Sequence, residues 1–284
     1  MKIADTHSHF YFPDFDGKRD DIHALDKAAG VDFQIQIGAD EISTRAAIDL
    51  TKRFPDFYAT IGIHPDDIPF IGKPSEYSVS GFENFTDTAK NVDQLFEVFE
   101  KLYLENKDKV VGFGETGFDF AQERNEELYE KQKDVFLRHV ALARKYDKTL
   151  VIHSRDARNE MLNFFEDNFV KEKIKGVVHC FCEDLEFATL ATERYGLYLG
   201  VGGILTYKGA GKIREAIAET PIEFLVTETD APFLTPFNFR KKNSLNTSKY
   251  ITEIIEKVAE IKGMDVEETA KILFENSKRC FGIK

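Results

Sequence analysis

Short apolar runs recur along the chain at 2–5, 33–37, 58–61, 110–114, 149–152, 176–178, 198–201 and 224–227. Each is bounded by polar or glycine-containing sequence, and each has the length of a buried strand. Between most of them the apolar period changes to that of a helix. In 124–146, Leu128, Val135, Phe136, Val140 and Ala143 share one helix face. After the eighth run, Ile251, Ile254, Ile255, Val258 and Ile261 form another stripe, and Asp265 opens a last helix with Glu268 at the capping-box position. Near-continuous apolar strands alternating with helices predict a parallel α/β architecture. Eight such strands in a chain of 284 residues predict a closed (β/α)8 TIM barrel rather than an open doubly wound sheet. No Gly-x-Gly-x-x-Gly follows a strand, which argues against a dinucleotide-binding domain. A single domain over 1–284 is expected, with an inserted loop at about 65–91 that holds Pro65, Pro69, Gly72, Pro74 and Gly81. A connection this long in a compact domain is expected to be functional or mobile.

Composition narrows the function. The chain is 42% hydrophobic and 31% charged, as ordinary globular proteins are. No apolar run approaches the roughly 20 residues that span a bilayer, so no membrane association is expected. The first residues show no apolar signal-peptide core. Three cysteines, two of them nearly adjacent, make no disulfide framework and predict a reducing compartment. A net charge of −12, from 38 Lys+Arg against 50 Asp+Glu, argues against nucleic-acid binding through a global positive field. It leaves room for an enzyme that meets phosphates through bound metal ions.

The histidines carry the chemistry. Five of the seven, His7, His9, His64, His153 and His179, fall at or just after the C-terminal end of a predicted strand. In a barrel those ends form the rim where the active site lies. His23 and His139 fall inside predicted helices, where surface or packing roles are expected. In Asp5-x-His7-x-His9, strand alternation predicts that both imidazoles enter the barrel mouth with Asp5 one layer below as an orienting partner. Glu115 follows the fourth strand, His153 ends the fifth, His179 the sixth and Asp230 the eighth. Six nitrogen and oxygen donors on one rim, His7, His9, Glu115, His153, His179 and Asp230, predict a binuclear site for zinc, manganese, iron or magnesium. Cys180 and Cys182 are too sparse for a structural zinc site and are expected to be buried or partly buried. Two divalent ions sharing Glu115 would lie roughly 3.5–4 Å apart and activate a water between them, which makes Glu115 and Asp230 the candidate catalytic carboxylates. His64 lies outside the six and is expected to donate to the substrate or leaving group. Arg155, expected at a helix start, is the candidate phosphate clamp. Arg240, Lys241 and Lys242 follow the eighth-strand motif and are expected to line the substrate groove.

Taken together, Asp5-Thr6-His7-Ser8-His9, Gly62-Ile63-His64-Pro65, Gly114-Glu115-Thr116-Gly117-Phe118-Asp119, His153-Ser154-Arg155, His179-Cys180-Phe181 and Glu228-Thr229-Asp230-Ala231-Pro232-Phe233-Leu234 resemble the TatD-related metal-dependent deoxyribonucleases in order and spacing. Asn276-x-x-Arg279-x-Phe281 at the end of the chain is similar to theirs as well. The resemblance implies a metal-dependent hydrolase barrel of the amidohydrolase superfamily. It implies hydrolysis of DNA phosphodiester bonds, typically 3′→5′ on single strands or 3′ ends, with magnesium or manganese for activity and zinc as an alternative. By the same resemblance His7, His9, Glu115 and Asp230 would hold one ion, and Glu115, His153 and His179 the other. A cytoplasmic monomer is expected, with a nuclear location left open. Two departures stand beside the likeness. The connection between His64 and Glu115 is longer than is common in the family, and Asn246-Thr247-Ser248 lacks the proline of the usual Asn-x-Pro.

Two other readings compete. Some relatives resemble D-aminoacyl-tRNA deacylases, which cleave an ester on the same scaffold. Phosphotriesterases bridge their metals with a carboxylated lysine, and Glu115 in that place argues against them. A decayed, non-catalytic barrel would have lost ligands, and none of the six is missing.

Overall fold

The protein is described from a computed structural model, covering residues 1–73, 79, 81–82, 88–240 and 244–284. Eight strands, β1 (Ile3–Ser8), β2 (Val31–Gln36), β3 (Phe57–Ile61), β4 (Val110–Asp119), β5 (Thr149–Arg155), β6 (Gly176–Val178), β7 (Tyr198–Val201) and β8 (Leu225–Thr227), pair in sequence order. Every pairing is parallel. The expected TIM barrel is the fold found. Between β8 and β1 the ladder thins to one bridge, Ser8 with Ala231. Side chains close that seam: Thr6 Oγ1 donates to the Thr227 carbonyl (3.1 Å) and Thr227 Oγ1 to that of Ala4 (2.9 Å). Backbone bonds from Asp230 N to His7 O and from His9 N to Ala231 O, both 2.8 Å, continue it upward.

The predicted helices form where expected. The helix Glu126–Tyr146 is capped by Asn125, whose side chain accepts from Leu128 N at 2.8 Å. Asp265 caps Val266–Phe281 by accepting from Glu267 N and Glu268 N. That last helix brings Phe274, Cys280 and Phe281 against Ala4, Phe33, Ile35, Val111, Val151, Val177 and Val226, sealing the N-terminal end of the barrel with apolar side chains. No described helix is long and apolar enough to cross a membrane.

Two strands run further than their apolar cores. β4 continues to Asp119 and β5 to Arg155, where the sequence suggested ends at 114 and 152. β5 pairs with the extension, Thr116 with Ile152 through Asp119 with Arg155, after a register shift. Of the 65–91 connection, Pro65–Phe70 is a 3₁₀ helix and Val79 reaches the rim pocket, while 74–78, 80 and 83–87 lie outside the described residues.

Candidate metal centre

The C-terminal rim gathers the six residues. Glu115 is buried at its centre. Its Oε1 lies 2.7 Å from both His153 Nδ1 and His179 Nε2, and its Oε2 lies 3.3 Å from His7 Nε2. Asp230 Oδ1 lies 3.5 Å from His7 Nε2 and 3.2 Å from His9 Nε2. The His7 and His179 rings stack with centroids 4.0 Å apart. The backbone makes this convergence. A Cβ on Gly62 would stand 2.3 Å from the Gly114 carbonyl carbon, so a bare α-carbon there lets β4 deliver Glu115. Asp230 sits at φ 57 and Cys180 at φ 47, in the left-handed region that L-residues rarely adopt and that clusters at functional sites.

The donor chemistry fits divalent cations. His7 is buried, and neither of its ring nitrogens makes a hydrogen bond among the described residues; buried His179 Nδ1 makes none either, although the Glu228 carboxylate lies 3.7 Å away. Such groups are rare and costly in a packed interior. Here they belong to overlapping compact sets of possible ligands, His7 with His9 and Asp230, Glu115 with His153 and His179, His7 with His179 and Glu228, and His64 with Asp119 and His153. Imidazole with carboxylate suits zinc, manganese and magnesium alike.

Electrostatics sorts the groups. Burial raises the Glu115 carboxyl, but His179, His7 and His153 outweigh it and hold it well below the usual carboxylate range. Burial opposes charge on His179, yet Glu115 and Glu228 push it well above an ordinary histidine. His64 is pushed down to about 3, chiefly by burial. Its Nδ1 accepts from Asp66 N at 3.1 Å, which leaves the proton on Nε2. That Nε2 points into the cluster, 3.3 Å from His153 Nδ1 and 3.7 Å from Glu115 Oε1.

The other expected residues are placed less uniformly. Arg155 lines the rim pocket, a cavity of about 540 Å³, but ends β5 instead of starting a helix; the next helix begins at Arg158. Arg240 lies outside that pocket's lining, with its guanidinium 4.7 Å from the centre of the Tyr207 ring. Lys241 and Lys242 lie outside the described residues. Asp5 orients no imidazole. From Asp5 to Ser8 the chain advances three residues while β2 advances two, and this bulge breaks the expected alternation. The Asp5 carboxylate instead accepts from Thr229 N, Thr229 Oγ1, Ser248 Oγ and His7 N, and burial pushes it up to about 7. Cys180 is half-buried, but Cys182 is exposed, contrary to expectation. His23 pairs with Asp56 at 2.9 Å, and buried His139 packs between helices against Phe96.

Three groups escaped the sequence reading. Asp119 Oδ2 lies 2.8 Å from His153 Nε2. Glu228 is buried beside the rim, accepts from Cys180 N and lies 3.7 Å from His179 Nδ1. Tyr11 OH bridges His9 Nδ1 (2.7 Å) and the Ile37 carbonyl (2.9 Å). Asp119 and Glu228 stood inside the quoted motifs. Glu228 stands two residues from Asp230, and Asp119 lies in the part of β4 that pairs with β5; only the fold turns those positions into contact.

A parallel eight-stranded barrel with imidazoles and carboxylates able to hold metal on its C-terminal rim is the architecture of a metal-dependent hydrolase. The chain belongs to the TatD related DNase family, whose model matches residues 4–282. It is 31% identical over 281 residues to the uncharacterized metal-dependent hydrolase YabD of Bacillus subtilis, covering 99% of each chain. It is 28% identical over 286 residues to YcfH of Escherichia coli, an uncharacterized metal-dependent hydrolase, covering 100% of this chain and 97% of that one. The crystal structure of the TatD homologue YjjV of Escherichia coli superposes with a TM-score of 0.81 at 25% identity, over 99% of this chain and 98% of that one.

Proposed function

We propose that this protein is a deoxyribonuclease that removes nucleotides 3′→5′ from single-stranded DNA, using two divalent ions. His7, His9 and Asp230 would hold one ion with Glu115, and Glu115, His153 and His179 would hold the other. The observation that carries this reading is the division of Glu115: Oε2 faces His7, and Oε1 faces His153 and His179. Bound there, magnesium or manganese supplies Lewis acidity toward phosphoryl oxygens and lowers the pKa of a water.

The chain's own groups do the rest. Asp119 accepts from His153 Nε2 and so keeps the Nδ1 lone pair toward Glu115, the usual task of a carboxylate behind a ligating imidazole. Tyr11 fixes the plane of His9 in the same way. His64, neutral and protonated at Nε2, donates to a phosphoryl or leaving-group oxygen. Arg155 reaches the phosphate from the pocket wall, whereas Arg240, Lys241 and Lys242 meet phosphates further along the strand. Val79 and Ile204 give the pocket apolar walls that exclude bulk water. We place the enzyme in the cytoplasm as a single-domain monomer, a setting that suits its three free cysteines.

The test is product analysis on 3′-labelled, 5′-labelled and circular single-stranded DNA with magnesium or manganese, beside a D-aminoacyl-tRNA assay. Immediate release of the 3′ label as mononucleotide, a shrinking 5′-labelled ladder and intact circles are expected. Cleavage of circles replaces the exonuclease reading with an endonuclease. Deacylation without DNA cleavage assigns the site to an ester of another kind.

A further inference from the structure

Among the described residues, Phe233 is the one exposed large aromatic side chain, at 48% exposure, and it stands on the wall of the metal pocket. Its ring lies 6.1 Å from the His9 ring and 5.3 Å from that of Phe12, which meets it at 80°. Tyr11 stacks behind Phe12 at 5.2 Å, and Tyr11 also holds His9. One continuous aromatic ridge therefore runs from a candidate ligand to an exposed phenyl face.

The loop that presents this phenyl is held rigidly in an unfavourable conformation. Asp230 and Leu234, at φ 57 and 54, are both left-handed, and Phe233 lies between them. Phe233 N donates to Asp230 O at 2.8 Å. Buried Asn246 clamps both ends of the loop, donating from Nδ2 to the carbonyls of Thr229 and Phe233. This gives a task to the Asn246-Thr247-Ser248 segment whose missing proline set it apart. One clamped turn thus points Asp230 into the ion cluster and Phe233 out along the pocket wall. The face this leaves in solvent is available to a flat ligand.

We propose that Phe233, braced by Phe12, is a stacking platform for the base of the nucleotide whose phosphate lies at the ion cluster. The inference rests on the DNA reading above and deepens it. A phenyl face takes any base, because every base has a π-surface, so this contact positions the strand end without selecting sequence. It also meets a difficulty posed by the net charge. A protein at −12 attracts few phosphates at a distance, and a neutral stacking contact holds a nucleotide where the field does not.

The experiment measures kcat and KM for the wild type, Phe233→Ala, Phe233→Leu and Phe233→Trp on two single-stranded oligonucleotides. One is natural, and the other has abasic residues at its 3′ end. Phe233→Ala and Phe233→Leu are expected to lower kcat/KM on the natural strand by about 5- to 150-fold, mostly through KM, the range that loss of one base–aromatic stack gives. Phe233→Trp is expected to retain activity, and all four proteins are expected to treat the abasic strand alike. Equal losses on both strands, no loss on either, or full rescue by leucine overturns the platform. A wild type that cleaves neither strand overturns the DNA reading itself, and that result is visible before any substitution is compared.

Discussion

The two ends of this barrel are built from the same eight strands and obey opposite rules. At the N-terminal end, Ala4, Phe33, Ile35, Val111, Val151, Val177 and Val226 meet Phe274, Cys280 and Phe281 in an apolar plug. The polar groups near it are partnered: Asn276 Nδ2 donates to the carbonyls of Ile222 and Leu225 at 2.7 Å. At the C-terminal end, buried imidazoles and carboxylates crowd together, two histidines keep unpartnered nitrogens, and Asp230 and Cys180 hold left-handed backbone. The plug stabilises the fold, and that stability offsets the strain and desolvation at the rim. The contrast predicts that damage at either end separates folding from ion binding.

Glu115→Gln is the most drastic test. It keeps the shape of the side chain but removes the charge that faces His7, His153 and His179. Hydrolysis is expected to fall to background, and calorimetric titration should show weakened binding of divalent ions. Near-normal turnover would refute a shared carboxylate. The mirror test is Phe281→Ala, which deletes a buried ring from the apolar plug. It should cost about 3–5 kcal/mol in urea denaturation, with unchanged ion affinity in the protein that remains folded. A loss of ion affinity at constant stability would erase the distinction between the two ends.

The two ends also differ in how plainly the sequence announces them. Apolar runs at 110–114 and 149–152 mark strands because burial demands them. The ligand candidates are legible for a related reason: histidines at the ends of such runs have no packing purpose. What stayed hidden depends on pairing. The bulge between Asp5 and Ser8 has no signature in the alternation of residues, and it leaves Asp5 bound to Thr229 and Ser248 instead of orienting an imidazole from one layer below. Asp119 was unreadable because Gly114 and Gly117 disguise the extension of β4 that lays it beside β5. Arg155 followed the same error, read as helical when β5 runs through it. Long-range register decides these positions, and short-range pattern does not contain it.

His139 sharpens the contrast from outside both ends. Like His7 it is buried with an unpartnered nitrogen, Nε2. Its neighbours are Phe96 and Phe99, and its Nδ1 donates to the Val135 carbonyl at 2.9 Å. Among the described residues no carboxylate contributes to its titration, so burial dominates and lowers its pKa to about 4. Below the ordinary value of 6.5 the unfolded chain takes a proton that the folded one refuses. Stability contributed by neutral His139 is therefore complete above 6.5 and is lost as pH falls toward 4, by about 3 kcal/mol. In His139→Leu that part of the pH dependence should vanish from denaturation curves. If it persists, an orphaned imidazole in an apolar shell is harmless, and the unpartnered nitrogens at the rim lose their meaning.

Asp119→Asn carries the smallest effect and the finest distinction. The amide keeps the volume, and its Oδ1 still accepts from Ala121 N at 2.9 Å. Its NH2 replaces the oxygen that lies 2.8 Å from His153 Nε2. An NH2 group donates where the carboxylate accepted, so Nε2 must become the acceptor and the ring proton moves to Nδ1. Nδ1 is the atom 2.7 Å from Glu115, and a protonated nitrogen cannot ligate. Ion affinity is expected to drop by about 10- to 100-fold, the usual toll of losing a carboxylate behind a ligating histidine. The melting temperature of the metal-free protein should barely move, because the imidazole keeps a partner. Competition against a metallochromic chelator reads the first quantity and calorimetry the second. Unchanged affinity would mean that His153 presents its other nitrogen to the ion. A loss far beyond a hundredfold would make Asp119 itself a ligand, in the set it forms with His64 and His153, and would move one ion from beside Glu115 toward the β4–β5 extension.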